Sequence, residues 1–126
     1  MKKSDETIGI ILVLLATVGV VAGLFYGKDT SYTDIVARAP EKGNFSPRVV
    51  KVPFGEKVKL RIRNVDTVVH GFAIPALEID AGEIKAGHYA ILEFTPQKAG
   101  KYDFYCTTWC SEFHLQMRGV LEVTAR

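Results

Sequence analysis

Four side chains with metal chemistry stand close together near the C-terminal end of the chain. They are Cys106, Cys110, His114 and Met117, in the run Cys106-Thr107-Thr108-Trp109-Cys110-Ser111-Glu112-Phe113-His114-Leu115-Gln116-Met117. Two thiols, an imidazole and a thioether thus fall within twelve residues. Soft sulfur donors combined with imidazole select copper, or zinc where thiolates dominate. A copper site also needs a donor from elsewhere in the fold. His70, in Asp66-Thr67-Val68-Val69-His70-Gly71-Phe72, is the candidate.

Several chemistries fit these residues. Cys106 and Cys110 could form a disulfide, the bland expectation for two cysteines in an oxidising compartment. That leaves the C-x3-C-x3-H-x2-M spacing as coincidence. Structural zinc on Cys106, Cys110, His114 and His70 is a second option, but such sites more often use C-x2-C, and Met117 has no part in it. A mononuclear copper site on His70, Cys110, His114 and an axial Met117 is a third, with Cys106 a bystander. Two coppers bridged by both cysteines employ all five side chains. A helix would also align residues 106, 110 and 114, although Thr107-Thr108 and the flanking strand-like segments argue against it.

The elements that must position these residues read as β-strands. Lys57 to Arg63 alternates most clearly, with Val58, Leu60 and Ile62 on one side and four cations on the other. Ser31 to Arg38, Val49 to Val52, Ala90 to Phe94, Lys101 to Tyr105 and Gly119 to Val123 are further candidates. Ala39 to Asn44, Pro53 to Glu56, Pro96 and Gly100 punctuate them. Short strands with turns between them predict an all-β sandwich or barrel. His70 would follow the clearest strand directly and project from the end of the sandwich.

From Ile8 to Tyr26 the chain carries no charge for 19 residues. As a helix this run spans roughly 28 Å, close to the hydrocarbon thickness of a bilayer. The expected organisation is a retained N-terminal membrane anchor, 1–27, and a folded domain, 28–126. No clear cleavage site follows the run. Lys2 and Lys3 precede it, so the N-terminus belongs inside and the domain on the outer, periplasmic side of the cell membrane.

A formal net charge of +2, without basic blocks interleaved with aromatics, gives no reason to expect nucleic acid. Neither a nucleophile–base pair nor a phosphate-binding glycine loop is evident, so electron transfer rather than catalysis is expected. His88 reads as a surface residue and the cations of Lys57 to Arg63 as a solvated face. Glu78, Asp80 and Glu83 read as a solvated loop that could steer a basic partner. Phe72, Phe104, Tyr105 and Phe113 read as packing near the site.

The loop from Cys106 to Met117 resembles the CuA site of cytochrome c oxidase subunit II, whose pattern is C-x-E-x-C-G-x-x-H-x-x-M. Val69 to Pro75 resembles that family's first-histidine segment. Phe45 to Gly55 and the single anchor are similar to the short bacterial type. The resemblance implies a Greek-key cupredoxin sandwich with a dinuclear copper centre bridged by Cys106 and Cys110. It implies that His70 and Met117 complete one copper, and that His114 and the backbone carbonyl of Thr108 complete the other. The donor would be a cytochrome c or a small copper protein. The acceptor would be a membrane haem–copper oxidase subunit. A free-standing anchored carrier and a copper-delivery protein are the alternatives. The chain departs from the pattern at Thr108, where the family has an acidic residue that reaches a magnesium, and at Ser111, where it has Gly. Asp66 lies four residues before His70 rather than three. The aromatic run that accepts electrons in longer subunits is missing.

Overall fold

The computed structural model describes residues 2–25 and 31–125, with side chains in the first segment described at residues 4 and 6–20. The chain divides into two compact units, 1–30 and 31–126.

The first unit is one helix, α1 (Lys2–Phe25). No proline interrupts it, and its side chains from Ile8 to Val20 are exposed all round. Among the described residues no helix is long and apolar enough to cross a membrane. The transmembrane span expected from Ile8 to Tyr26 is not shown among these residues. The part of the apolar run whose side chains are described, Ile8 to Val20, is thirteen residues. That is about 20 Å of helix against a hydrocarbon layer of about 30 Å. The rest of the expected span, 21–26, lies outside the described side chains.

The second unit is a sandwich of two sheets, as the strand spacing predicts. Its strands are β1 (Thr33–Ala37), β2 (Phe45–Ser46), β3 (Val49–Pro53), β4 (Val58–Asn64), β5 (His70–Ile74), β6 (Ile79–Ile84), β7 (Tyr89–Phe94), β8 (Gly100–Tyr105) and β9 (Arg118–Thr124). One sheet has the order β2-β1-β4-β7 and the other β3-β9-β8-β5-β6. β1 runs parallel to β4, and β3 parallel to β9. β4 shows the period-2 pattern read from sequence: Val58, Leu60 and Ile62 are buried, while its cations face outward.

The core lies between the sheets. Ile35, Leu60, Ile62, Ile74 and Leu121 fill it with the rings of Phe45, Phe72 and Phe104. Phe45 meets Phe72 and Phe104 edge-on, with centroids 5.6 and 5.4 Å away. Such pairs contribute about 0.5–1.5 kcal/mol each beyond the area they bury.

Three strands escape the sequence pattern, the two-residue β2 being the shortest of them. β5 is buried at every position, so it has no polar face to alternate with. β6 was expected as a loop; it pairs antiparallel with β5 at the edge of its sheet, carrying Asp80 and Glu83 outward. His70 therefore does not follow β4 directly. It opens β5, in the opposite sheet.

Candidate metal centre

β5 and the loop joining β8 to β9 meet at one end of the sandwich. The loop is closed at its base, where the Cys106 N–H donates to the Met117 carbonyl at 3.0 Å. Its last turn is a short 3-10 segment, His114–Gln116. The buried Asn44 side chain donates to the Gln116 carbonyl at 2.8 Å and accepts from the Phe45 N–H. Asn44 itself has φ 64, a left-handed conformation that asparagine tolerates better than most residues. The helical alignment of residues 106, 110 and 114, which the flanking strand-like segments argue against, is not formed.

All five candidate side chains come together. Cys106 and Cys110 are buried and free, with their sulfurs 3.8 Å apart. The disulfide alternative therefore does not describe this structure. The Nδ1 atom of His70 lies 4.0 Å from Cys106 Sγ, and that of His114 lies 3.6 Å from Cys110 Sγ. Met117, fully buried, points its sulfur at Cys110 Sγ from 3.7 Å. The Thr108 carbonyl oxygen is 3.1 Å from Cys106 Sγ. Donor atoms of His70, Cys106 and Cys110 all lie within 4.8 Å of one another.

β5 must run very close to the loop, and Gly71 permits this. A Cβ at that position would collide with Thr107 Oγ1 and stand 2.9 Å from the Thr107 nitrogen. The approach lets the Gly71 N–H donate to Cys106 Sγ at 3.3 Å.

Behind His70 stands a partner that sequence reasoning noted only as a departure in spacing. Asp66 Oδ2 lies 3.2 Å from His70 Nε2. The same carboxylate accepts from the Ala39 and Thr67 N–H groups, both at 2.8 Å, and from Lys42 Nζ at 3.0 Å. Asn64 shapes the turn, accepting from the Asp66 N–H at 2.9 Å. Such a carboxylate holds the imidazole in one tautomer, with Nδ1 free to face the sulfurs.

The electrostatics follow from burial and these partners. Burial works against charge on Asp66, but the Ala39, Thr67, Lys42 and His70 contacts outweigh it and hold the carboxyl far below its usual range. Burial opposes protonation of His70, and Cys106 and Asp66 outweigh it, so the imidazole is shifted upward. Burial also opposes ionisation of Cys106, yet His70 and the Gly71 N–H bring its thiol down. Cys110 goes the other way: burial, then the neighbouring Cys106 charge, push it up to about 12. One thiol of the pair is thus poised to ionise and the other holds its proton.

Other expectations are placed as follows. His88 is exposed, as read, and its carbonyl accepts from the Asn64 N–H at 2.9 Å. Phe72 and Phe104 are fully buried. Tyr105 and Phe113, expected as packing, are instead 37% and 47% exposed. Both belong to the loop end of the sandwich, where Trp109 and Leu115 are exposed at 73% and 81%.

A family model described as a cupredoxin-like domain matches residues 11–123. The nitrous-oxide reductase of Cupriavidus necator is 32% identical over 107 residues, which is 82% of this chain and 16% of that protein. The chain therefore spans about a sixth of the length of this curated relative. A chain of a heme-copper terminal oxidase dimer superposes with TM-score 0.60 at 20% identity, covering 98% of this chain and 99% of that one. The metal-binding domain of the Cu(I)-exporting P-type ATPase CopA of Streptococcus pneumoniae D39 superposes with TM-score 0.61 at 16% identity, over 74% of this chain and 84% of that one.

Proposed function

The chain belongs to the cupredoxin-like domain family, and on that premise we propose that it is a membrane-anchored electron-transfer protein holding a dinuclear copper centre. We read it as the electron-entry module of a haem–copper oxidase. The observation that carries the reading is the pair of free, buried sulfurs 3.8 Å apart, each with its own imidazole nitrogen.

The donor set fits copper. Two thiols, two imidazoles and a thioether are the soft and borderline donors that copper prefers. A zinc site would leave the buried Met117 sulfur without a task. A mononuclear site would leave Cys106 idle, although it is Cys106 that meets His70, Gly71 and Thr108. In this reading Cys106, Cys110, His70, His114, Met117 and the Thr108 carbonyl would hold the two coppers. Bound copper supplies one-electron redox chemistry. The residues do the rest: Asp66 orients His70, the core excludes water from Cys106 and Met117, and the closed loop keeps the donors in place.

The exposed apolar side chains from Ile8 to Val20 support an anchor, with the uncharged sequence running on to Tyr26. The domain would then stand on the outer, periplasmic side. The donor would be a cytochrome c or small copper protein, and the acceptor a membrane haem–copper subunit. The similarity to a nitrous-oxide reductase favours a second reading, a free-standing anchored carrier that serves a different reductase. Purification from native membranes separates the two, since an oxidase module co-purifies with haem.

Copper analysis and electron paramagnetic resonance on the full chain in non-ionic detergent test the centre. Two coppers per chain sharing one unpaired electron equally is the expected result. One copper with a four-line pattern would sink the dinuclear reading, and no copper would sink the copper reading altogether.

A further inference from the structure

We propose that Arg48 and Arg118, with the exposed loop side chains Phe113 and Leu115, form a docking surface for a redox partner that presents carboxylates. The inference rests on the electron-transfer reading above and adds the sign of charge the partner must carry.

The two arginines issue from one spot. Arg118 opens β9 directly after Met117, and Arg48 immediately precedes β3. Parallel pairing of β3 with β9, Val49 opposite Val120, puts both residues at the metal end of the sandwich. The Arg48 Nε–H donates to the Arg118 carbonyl at 3.2 Å, and the Arg48 carbonyl accepts from the Val120 N–H at 2.7 Å. A shallow cleft of about 500 Å³ lies between Asn44, Arg48, Leu115, Gln116 and Arg118. A neighbouring cleft of about 420 Å³ shares Asn44, Arg48 and Gln116 and reaches Phe113. In both clefts the Asn44 side chain donates to the Gln116 carbonyl at 2.8 Å.

The chemistry of this surface is unbalanced. Elsewhere Lys42 meets Asp66, Lys57 meets Glu93, and Arg61 meets Asp34. Among the described residues neither Arg48 nor Arg118 has a carboxylate partner. Glu41, which borders the second cleft, accepts from the Ser111 hydroxyl at 3.1 Å and keeps its charge, so the cationic character belongs to the first cleft, whose lining holds both arginines and no carboxylate. Leu115 at 81% exposure and Phe113 at 47% flank His114, so apolar contact and cationic contact meet beside a candidate ligand. Arginine next to exposed apolar side chains is the usual composition of a protein interface. The opposite edge of the same sheet, β6, carries Asp80 and Glu83, with Glu78 just before it. An acidic partner is drawn to one edge and repelled from the other, which sets its orientation.

Stopped flow tests this with the reduced, copper-loaded full chain in non-ionic detergent. It is mixed with oxidised plant plastocyanin, an acidic probe, or oxidised mitochondrial cytochrome c, a basic one. One electron leaves the reduced centre and enters the probe's metal. The rate constant with the acidic probe is expected to fall at least about tenfold from low to high salt. With the basic probe it should stay flat or rise. Arg48→Glu with Arg118→Glu should invert both salt dependences, and the double glutamine variant should flatten them. Reduction of the oxidised, copper-loaded chain by neutral ferrocenemethanol, one electron passing from its iron to the centre, and the paramagnetic spectrum should be unchanged in every variant. A wild type whose acidic-probe rate ignores salt, or a charge-reversed variant that behaves like wild type, overturns the docking surface while the electron-transfer reading stands. A wild type that exchanges no electrons even with ferrocenemethanol overturns that reading, and the docking surface with it.

Discussion

The Asp66 carboxylate stands 3.2 Å from His70 Nε2, both groups buried, and it is His70's opposite nitrogen that faces the cysteine sulfurs. The arrangement makes Asp66 the residue that aims the imidazole. Asp66→Ala should weaken copper affinity about 10–100-fold, the usual loss when a partner of a metal-binding histidine is removed. Competition against a copper chelator of known affinity reads this out. An unchanged affinity would mean that the β5 backbone alone sets the ring.

Cys106→Ser and Cys110→Ser test the bridge. In the dinuclear reading either change lowers copper from two per chain to one or none and abolishes the shared-electron spectrum. In a mononuclear site only Cys110→Ser would be harmful. Metal analysis on the two variants side by side discriminates.

Gly71→Ala puts a methyl group against Thr107 Oγ1 and the Thr107 nitrogen. The loop must retreat, which lengthens the Gly71 N–H contact to Cys106 Sγ. Overpacking of this kind costs about 1–3 kcal/mol. Urea unfolding of the metal-free protein should show that loss, and the charge-transfer bands of the copper form should shift. An alanine variant with wild-type stability would show that the loop has slack.

The metal-free protein should weaken in alkali. Burial, then the charge on Cys106, push Cys110 from its ordinary 9.0 up to about 12. The folded chain therefore keeps a proton on Cys110 that the unfolded chain loses. The stabilisation is complete below pH 9.0 and drains away as pH rises toward about 12. Melting temperatures across this window should fall more steeply for the wild type than for Cys110→Ala. Parallel slopes would count against the raised thiol.

Phe104→Ala removes the ring that meets Phe45 at 5.4 Å and Phe72 at 5.1 Å. Its loss should cost about 3–5 kcal/mol, measured by denaturant unfolding. The copper site, two residues along the chain at Cys106, should load poorly as well. A cost under about 1 kcal/mol would mean that the core collapses into the space.

Much of this was legible in the sequence for physical reasons. β4 borders both core and solvent, so its alternation announces it. The ligand loop announces itself because cysteine, histidine and methionine at that spacing have few bland uses. β5 was hidden because it is buried on both faces, and a strand without a polar side leaves no period. Asp66 was hidden because its role is made by a turn: Asn64 folds the chain back so that residues four apart meet, and no helical repeat marks it. Phe113 and Tyr105 were misplaced because hydrophobicity alone does not tell an interior ring from one offered to a partner. The apolar run from Ile8 to Tyr26 is plain because no charge interrupts it.

The bond between the Cys106 N–H and the Met117 carbonyl pins the two ends of the ligand loop together at 3.0 Å. The residues between them are held further by Asn44 on the Gln116 carbonyl and by Ser111 on Glu41, while the ladder between β8 and β9 runs on regularly below. Insertions, deletions and exchanges within that interval need not disturb the strand register on either side. The interval therefore behaves as a replaceable cartridge. Selection, or an engineer, can alter which metal is held and which surface is offered to a partner while leaving the sandwich as it is.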